Sequence, residues 1–573
     1  MREVCERLLL LIFFASAMSA AMLTSKIIVW FRNDLRLHDN ALLHAALSQF
    51  NKQAGGGASE FICLYCFDTR FYSRSSKLTE GISGKLKSSA FRSKFTIESV
   101  DNLRSNLRKT GSDLVVAVGR PEDIIPSLLA GSGKSQVFAT SEVTYEEMAV
   151  EAGVQRRLRE LDTGAVLTLL ASDKSLYDSD DVNKLFAGLA SLPDVFTNFR
   201  EKVERNLKVR DMLPEIIALP AARQDVFKSA AAAMPTVLDL YPDEADKEQV
   251  RKELSASSSS SSSSGVMVFH GGEDAAKARI RKWMFEDDNL KDYFEIRNGM
   301  LGEKYSTKLS PWLANGSLSP RLLYSEGKRY ERERKIANKS TYWIVFELLC
   351  RDFFYFACKR YGSRTFKQGG FKGVDRAWSS DLGALERWRQ GQTGVPLVDA
   401  NMRELAQTGW MSNRGRQNVA SYLCLDLQLD WRFGAEHFER YLLDHDPSSN
   451  YGNWNHAAGL HGGRVNKFNM VKQSKDYDGN GDYIRHWLPE LKNVPAPLVF
   501  EPWTLSAQQQ KQYSVALGVD YPLPLATPKG VEPGYEPRNP ASAFKASAFK
   551  GASGGGAGSG GGRRRGGPKV QHY

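Results

Sequence analysis

The stretch from Gly409 to His456 opens Gly409-Trp410-Met411-Ser412-Asn413-Arg414-Gly415-Arg416-Gln417 and continues as an amphipathic run to Leu429-Asp430-Trp431-Arg432-Phe433-Gly434. It closes Leu442-Leu443-Asp444-His445-Asp446-Pro447-Ser448-Ser449-Asn450-Tyr451-Gly452-Asn453-Trp454-Asn455-His456. It carries the neighbouring arginines Arg414 and Arg416, the carboxylates Asp444 and Asp446, and the tryptophans Trp410, Trp431 and Trp454. A guanidinium and a carboxylate can form a bidentate, charge-assisted pair, and Arg416 with Asp444 is the candidate. Asp446 supplies acceptors and Asn450 an amide with both donor and acceptor, a set that matches the edge of a flat heterocycle. On pattern alone, a helical core with surface charges accounts for the stretch equally well.

The whole chain sets bounds on that reading. Its 573 residues are too many for one core and imply two domains with appendages. The composition, 42% hydrophobic and 25% charged, is that of a globular protein. A net charge of +11 suits a polyanionic partner such as nucleic acid, and equally a plain basic protein. Cys63 and Cys66 form a C-x-x-C inside an apolar strand-like run, with no second pair to complete a zinc site, so they read as buried thiols and no metal is expected. Residues 1–24 have a basic tip, an apolar run from Leu8 to Phe14 and a small-residue segment, the form of a targeting leader too short to cross a bilayer. An organelle, chloroplast or mitochondrion, is the expected destination, with nucleus or cytoplasm as alternatives. No stable membrane association is expected.

Apolar runs at 26–31, 61–67, 113–118, 136–139 and 165–170 alternate with helical patterns such as 41–50 and 89–108, which predicts a parallel, helix-covered sheet. No G-x-G-x-x-G follows the first strand, so a dinucleotide is not expected on this sheet. Residues 171–268 read as a polar connector whose serine tract, 257–264, is a solvent-exposed loop. From Phe269 the pattern is helical. Tyr305 to Leu313 offers hydroxyls at Ser306, Thr307 and Ser310 ahead of a Pro-led helix, which can cradle a pyrophosphate or simply cap the helix. The aromatic helix at 341–356 buries Glu347, and a buried carboxylate must be paired or functional. The last segment, 506–573, ends rich in glycine and arginine and reads as a flexible basic tail able to hold nucleic acid through phosphates.

Several of these segments carry a resemblance. Phe31-Arg32-Asn33-Asp34-Leu35-Arg36-Leu37-His38-Asp39-Asn40, the run Ser306-Thr307-Lys308-Leu309-Ser310-Pro311-Trp312-Leu313, and the segments 473–478 and 483–491 resemble the photolyase/cryptochrome family. The run Ser448-Ser449-Asn450-Tyr451-Gly452-Asn453-Trp454 is similar to its DASH branch. The resemblance implies an α/β N-terminal domain with a parallel, Rossmann-like sheet at 25–170. A large all-α FAD-binding domain follows at 269–505.

It also implies bent FAD contacting Tyr293, Ser306, Thr307, Lys308, Leu309 and Ser310. The flavin ring would lie against Arg416, Asp444, Asp446 and Asn450, with Asn413 between flavin and substrate. Trp378, Trp431 and Trp454 match the family's electron-carrying tryptophans. Glu347 matches the carboxylate that stabilises the dimer radical anion, and Glu142 the acidic contact of an antenna, 5,10-methenyltetrahydrofolate.

The substrate pocket departs from the family. Cys350 stands where photolyases have Trp, His456 replaces a second aromatic and Gln417 replaces Met, while Arg414 and Asn413 remain. Flipping a damaged base pair costs a few kcal/mol and each stacking contact returns about 1–3 kcal/mol, so a pocket with fewer rings is expected to act on single strands. The implied activity is light-driven repair of cyclobutane pyrimidine dimers in single-stranded DNA by a monomer. The alternative is a blue-light photoreceptor or nucleic-acid binder, holding DNA or RNA through the tail, with little or no repair.

Overall fold

The computed structural model describes residues 25–53, 59–75, 82–161, 163–171, 174–222, 233–259 and 267–526. The leader lies outside these residues, as does most of the Gly/Arg-rich segment.

Five short β-branched runs form one parallel sheet: β1 (Ser25–Phe31), β2 (Ser59–Phe67), β3 (Leu114–Val118), β4 (Gln136–Thr140) and β5 (Val166–Leu170), in the order β3-β2-β1-β4-β5. The helices α1 (Ala41–Gln53), α2 (Ala90–Lys109), α3 (Pro121–Leu129) and α4 (Tyr145–Arg159) provide the crossovers that parallel pairing requires. The runs are apolar on both sides because both faces are covered. Val29, Phe31 and Cys63 enter one core layer, and Ile28, Trp30 and Leu64 the other.

The expected connector is part of both cores. Its first half holds α5 (Ser179–Leu185) and α6 (Phe196–Asn206), whose Phe186, Phe199 and Val203 pack into the helical domain. Its second half holds α7 (Glu244–Ser259), and Leu240, Tyr241 and Val250 there pack under the sheet. Ser257–Ser259 finish α7 rather than lying in a loop, and the rest of the serine tract falls outside the described residues.

The helical domain comprises α8 (Glu273–Ile280), α9 (Tyr293–Ile296), α10 (Ser310–Ala314), α11 (Pro320–Arg334), α12 (Lys339–Tyr361), α13 (Leu382–Arg389), α14 (Pro396–Thr408), α15 (Asn413–Ser421), α16 (Trp431–Tyr441), α17 (Pro447–Ala457), α18 (Met470–Tyr477) and α19 (Asp482–Trp487). The 23-residue α12 opens with an Asn338–Thr341 capping box and ends at Gly362, whose φ of 56° suits a residue without Cβ.

One boundary needs correction. The segment expected to be a flexible tail from 506 is folded in its first part: α20 (Ala507–Tyr513) lies there, and residues continue in place to 526. Val515 and Tyr521 are buried, the Tyr521 hydroxyl donates to Asp399 at 2.7 Å, and Leu525 N–H bonds Thr393 O at 2.9 Å. The sparse hydrophobics among glutamines read as tail because they are not periodic, yet Val515, Tyr521 and Leu525 fill places in the core, while Val519 and Leu523 stay exposed.

The domains are joined by buried charge. Asp39, after β1, takes both arms of Arg321 at 2.8 Å, and Glu273 on α8 accepts from the Leu37 N–H at 2.7 Å. Among the described residues, no helix is long and apolar enough to cross a membrane.

Candidate functional site

A cavity of about 730 Å³ lies inside the helical domain, walled by α12, the 305–310 loop, the start of α15 and the turn before α17. That is cofactor size. Tyr293, Ser306, Thr307, Lys308, Leu309 and Ser310 all line it.

The 306–310 loop is braced from outside. The buried Arg279 guanidinium donates to the carbonyls of Thr307, Glu303 and Ser306 at 2.9, 2.8 and 3.1 Å. Lys308 takes a left-handed φ of 52°, and its ammonium points to the Tyr305 hydroxyl at 2.8 Å rather than along the loop's hydroxyls. Burial pulls that ammonium down to about 7, against the attraction of Glu404. Burial likewise pushes Glu404 up to about 7, although the Tyr483 hydroxyl donates to it at 2.6 Å.

Arg416 meets Asp444 through one arm, Nη2 to Oδ2 at 2.8 Å, not the bidentate fork expected. Its Nε is committed to the Met411 carbonyl at 2.9 Å, and Asp444 Oδ2 already accepts from Ser310 Oγ at 2.7 Å. Asp444 Oδ1 is therefore buried with no partner. An orphaned carboxylate oxygen on a cavity wall is an acceptor matched to an incoming N–H or O–H. With hydroxyls, an arginine and aromatic walls beside it, this lining fits a flavin nucleotide. Asp446 also lines the cavity and caps α17 by accepting from Ser449 N–H at 2.8 Å. Burial opposes its ionisation, but Lys174 and Arg351 outweigh it and hold the carboxyl below the usual range.

Asn450 is not on the cavity wall as drawn by the surrounding side chains. It is buried on α17, and its amide donates to the Ala435 carbonyl at 2.9 Å. Asn413 starts α15 at the cavity rim.

Glu347 sits on α12 and is surrounded by protein except where it meets the cavity, with the Tyr293 hydroxyl donating to it at 2.7 Å. Burial raises its pKa against the pull of Tyr293, Arg297 and Trp343. Cys350, one turn on, and His456 line the same cavity, and burial pushes the Cys350 thiol up and His456 down. Arg414 and Gln417 stay outside this wall. They bond each other at 2.9 Å, and the guanidinium lies 4.4 Å over the Tyr477 ring.

Sequence reasoning missed an aromatic group on the same helix face. Trp343 and Phe346 stack at 4.3 Å and 19°, and the Arg297 guanidinium covers Trp343 at 4.2 Å. Trp343, Glu347, Cys350 and Phe354 all line the cavity, and their spacing of four, three and four was a helical-face signal available in the sequence. His461, Arg464 and Asn466 on the opposite wall had no such signal.

The tryptophans lie behind the cavity. Trp454 on α17 packs edge-on to Phe438 at 5.1 Å and to Trp388 at 6.3 Å. It fits only because residue 434 is glycine: a Cβ there would fall 2.2 Å from the indole. Trp431 is one turn before Gly434 on α16, and its ring stands edge-on to Tyr451 at 6.1 Å, one turn before Trp454 on α17. Both tryptophans are buried, while Trp378 is half-buried under the Arg376 guanidinium at 4.2 Å.

Glu142 lies neither on the wall of the 730 Å³ cavity nor at the surface. It is buried between Lys174 Nζ at 2.7 Å and the Asn33 amide at 2.8 Å.

Residues 27–221 match the family model described as DNA photolyase, and 343–531 match the FAD binding domain of DNA photolyase. The chain is 43% identical to "Cryptochrome DASH, chloroplastic/mitochondrial" of Ostreococcus tauri, covering 88% of this chain and 91% of that one. The crystal structure of a Synechocystis cryptochrome superposes with a TM-score of 0.76 at 41% identity, over 88% of this chain and 97% of that one. A bacterial class III photolyase from Agrobacterium tumefaciens superposes with a TM-score of 0.69 at 28% identity, over 88% and 95%.

Proposed function

The chain belongs to the photolyase/cryptochrome family, in its cryptochrome DASH branch, and from that premise we propose that it is an FAD flavoprotein that splits cyclobutane pyrimidine dimers in single-stranded DNA under blue light. When bound, reduced FAD supplies a photoexcited one-electron donor. Ser306, Thr307 and Ser310 hold its phosphate region, and Arg416, Asp444 and Asp446 hold its ring, with Asn450 behind them. The orphaned Asp444 Oδ1 takes a ring or ribose donor.

Glu347 carries the chemistry of the substrate side. Its raised pKa and its bond to Tyr293 let it keep or share a proton at the place where negative charge grows on the dimer carbonyl. Asn413 positions that carbonyl from the rim. The electron returns after the ring opens, so the reaction has no net redox change. Cys350 offers no π face and His456 a small one, so little stacking energy is returned for opening a duplex. An already unpaired strand avoids that cost. The observation that carries this reading is Glu347, enclosed beside Tyr293 on the cavity wall.

The second reading, a light sensor without repair, is favoured by the same Cys350 and His456 and by the intact tryptophan series Trp454, Trp431 and Trp378. One assay separates them: loss of thymine dimers on matched single- and double-stranded oligonucleotides, with reduced protein under blue light. Loss on single strands alone supports repair. No loss on either, with normal flavin photoreduction, overturns it and leaves the sensor. Arg414 and Gln417 belong to the strand-binding rim in this reading, a folate antenna near Glu142 adds absorbed light, the protein acts as a monomer, and the leader directs it to an organelle.

A further inference from the structure

Tyr451 is given no part in the repair reading, yet it is the best-placed proton-releasing group beside the tryptophans. Its ring stands edge-on to Trp431 at 6.1 Å and 82°. Its hydroxyl donates to Glu439 Oε2 at 3.0 Å. Glu439 is buried, 3.6 Å from the Lys87 ammonium, which also pairs with Glu146. Burial opposes ionisation of Glu439, but Lys87, His445 and Arg92 outweigh it, so the carboxylate is charged. A cavity of about 30 Å³ reaches the pair and is walled by Tyr451, Glu439, Glu146, Glu147, Glu436 and His445. That is room for about one water among polar partners.

Trp378 is the opposite case. A guanidinium lies 4.2 Å over its ring, and its indole N–H is buried with no acceptor. The attraction of a cation for a neutral ring turns to repulsion once the ring itself is a cation. A hole on Trp378 is disfavoured by charge and has nowhere to send its proton.

We propose that Tyr451 is the proton-coupled terminus of the tryptophan relay: Tyr451 gives an electron to the Trp431 radical cation as its phenolic proton passes to Glu439. This rests on the relay reading, in which the oxidising equivalent enters from a photoexcited flavin by way of Trp454. The phenol O–H bond breaks and a carboxylic O–H forms. Trp431 returns to neutral indole and Tyr451 is left as a neutral radical. A buried cation and a buried anion both disappear, which low polarity favours. Return of the electron then requires return of the proton, so the separated state is long-lived. Lys87, Arg92, Glu146, Glu436 and His445 face the pair and set how readily Glu439 accepts.

The test uses the purified flavoprotein, flash-illuminated in the oxidised state, with radical identity read by electron paramagnetic resonance on protein grown with ring-deuterated tyrosine. The expected result is a tyrosyl signal that narrows on labelling, is lost in Tyr451→Phe, and is reduced in Glu439→Gln with slowing in deuterium oxide. A Tyr451→Phe protein that keeps the wild-type radical overturns the inference, as does a signal carried by tryptophan alone. Trp431→Phe distinguishes the two failures. If it abolishes photoreduction while Tyr451→Phe changes nothing, only the tyrosine terminus is wrong. If it leaves photoreduction intact, the relay falls with it.

Discussion

The cavity of the helical domain and the crevice at the carboxyl edge of the sheet are both ringed by charged side chains, and they differ in how those charges are spent. The crevice, about 140 Å³, lies where the strand order turns at β1, the place where open α/β sheets usually take a ligand. Its charges are closed on one another. Arg32 pairs with Glu151 and donates to the Thr140 and Glu147 carbonyls at 3.3 and 3.2 Å. Asp68 on the crevice wall is taken by Arg70 at 2.6 Å, which also holds Glu122 at 2.8 Å. The larger cavity holds Asp444 Oδ1 without a hydrogen-bond partner, and a carboxylate at Glu347 whose pKa burial has raised. A satisfied network stiffens the sheet domain; an unsatisfied one is a receptor.

Mutations can break or sharpen that contrast. The largest effect is expected from Glu347→Ala, which should take dimer repair on single strands to background while bound flavin, measured as absorbance per protein, is unchanged. Loss of flavin as well would make Glu347 a structural residue. Asp444→Ala strands Arg416 and Ser310 and should weaken flavin binding by about 2–3 kcal/mol, roughly a hundredfold, in an equilibrium titration.

On the closed side, Glu142→Ala takes from the buried Lys174 its shortest ion pair, leaving Asp446 at 4.0 Å, and should cost about 2–3 kcal/mol in thermal unfolding with flavin content intact. Loss of a folate absorption band without loss of stability would instead put Glu142 at the antenna. The smallest effect concerns acid. Burial pulls His445 and His461 to about 4, from an ordinary 6.5. Between those values the unfolded chain binds more protons than the folded one, so stability falls as pH drops through that window. His461→Phe should flatten the slope of melting temperature against pH from 6.5 to 4.

What was legible in the sequence follows the same division. The five strands were plain because each is a short apolar run between helical patterns, although β5 at the sheet edge is only part-buried, and the Arg416–Asp444 pair because its partners are short-range within one segment. The single-armed geometry of that pair was not legible, since it depends on Met411's carbonyl and on Ser310, 134 residues from Asp444. The inward turn of Lys308 toward the neighbouring Tyr305 depends also on Glu404 and Tyr483, two distant segments. Glu142 is paired with Lys174, 32 residues on, a contact that no local pattern announces. The segment 506–526 reads as polar tail because its anchors, Val515, Tyr521 and Leu525, are too sparse for any period.

In the relay proposed above, the missing side chain at Gly434 has a kinetic meaning. Electron tunnelling between rings falls off exponentially with the gap, and here the gap is set where the Trp454 indole rests on bare backbone one turn from Trp431. A methyl group placed 2.2 Å from that indole would push it away. The single hydrogen at residue 434 thus acts as a spacer gauge, and Gly434→Ala would change the tempo of charge separation without removing any redox-active group.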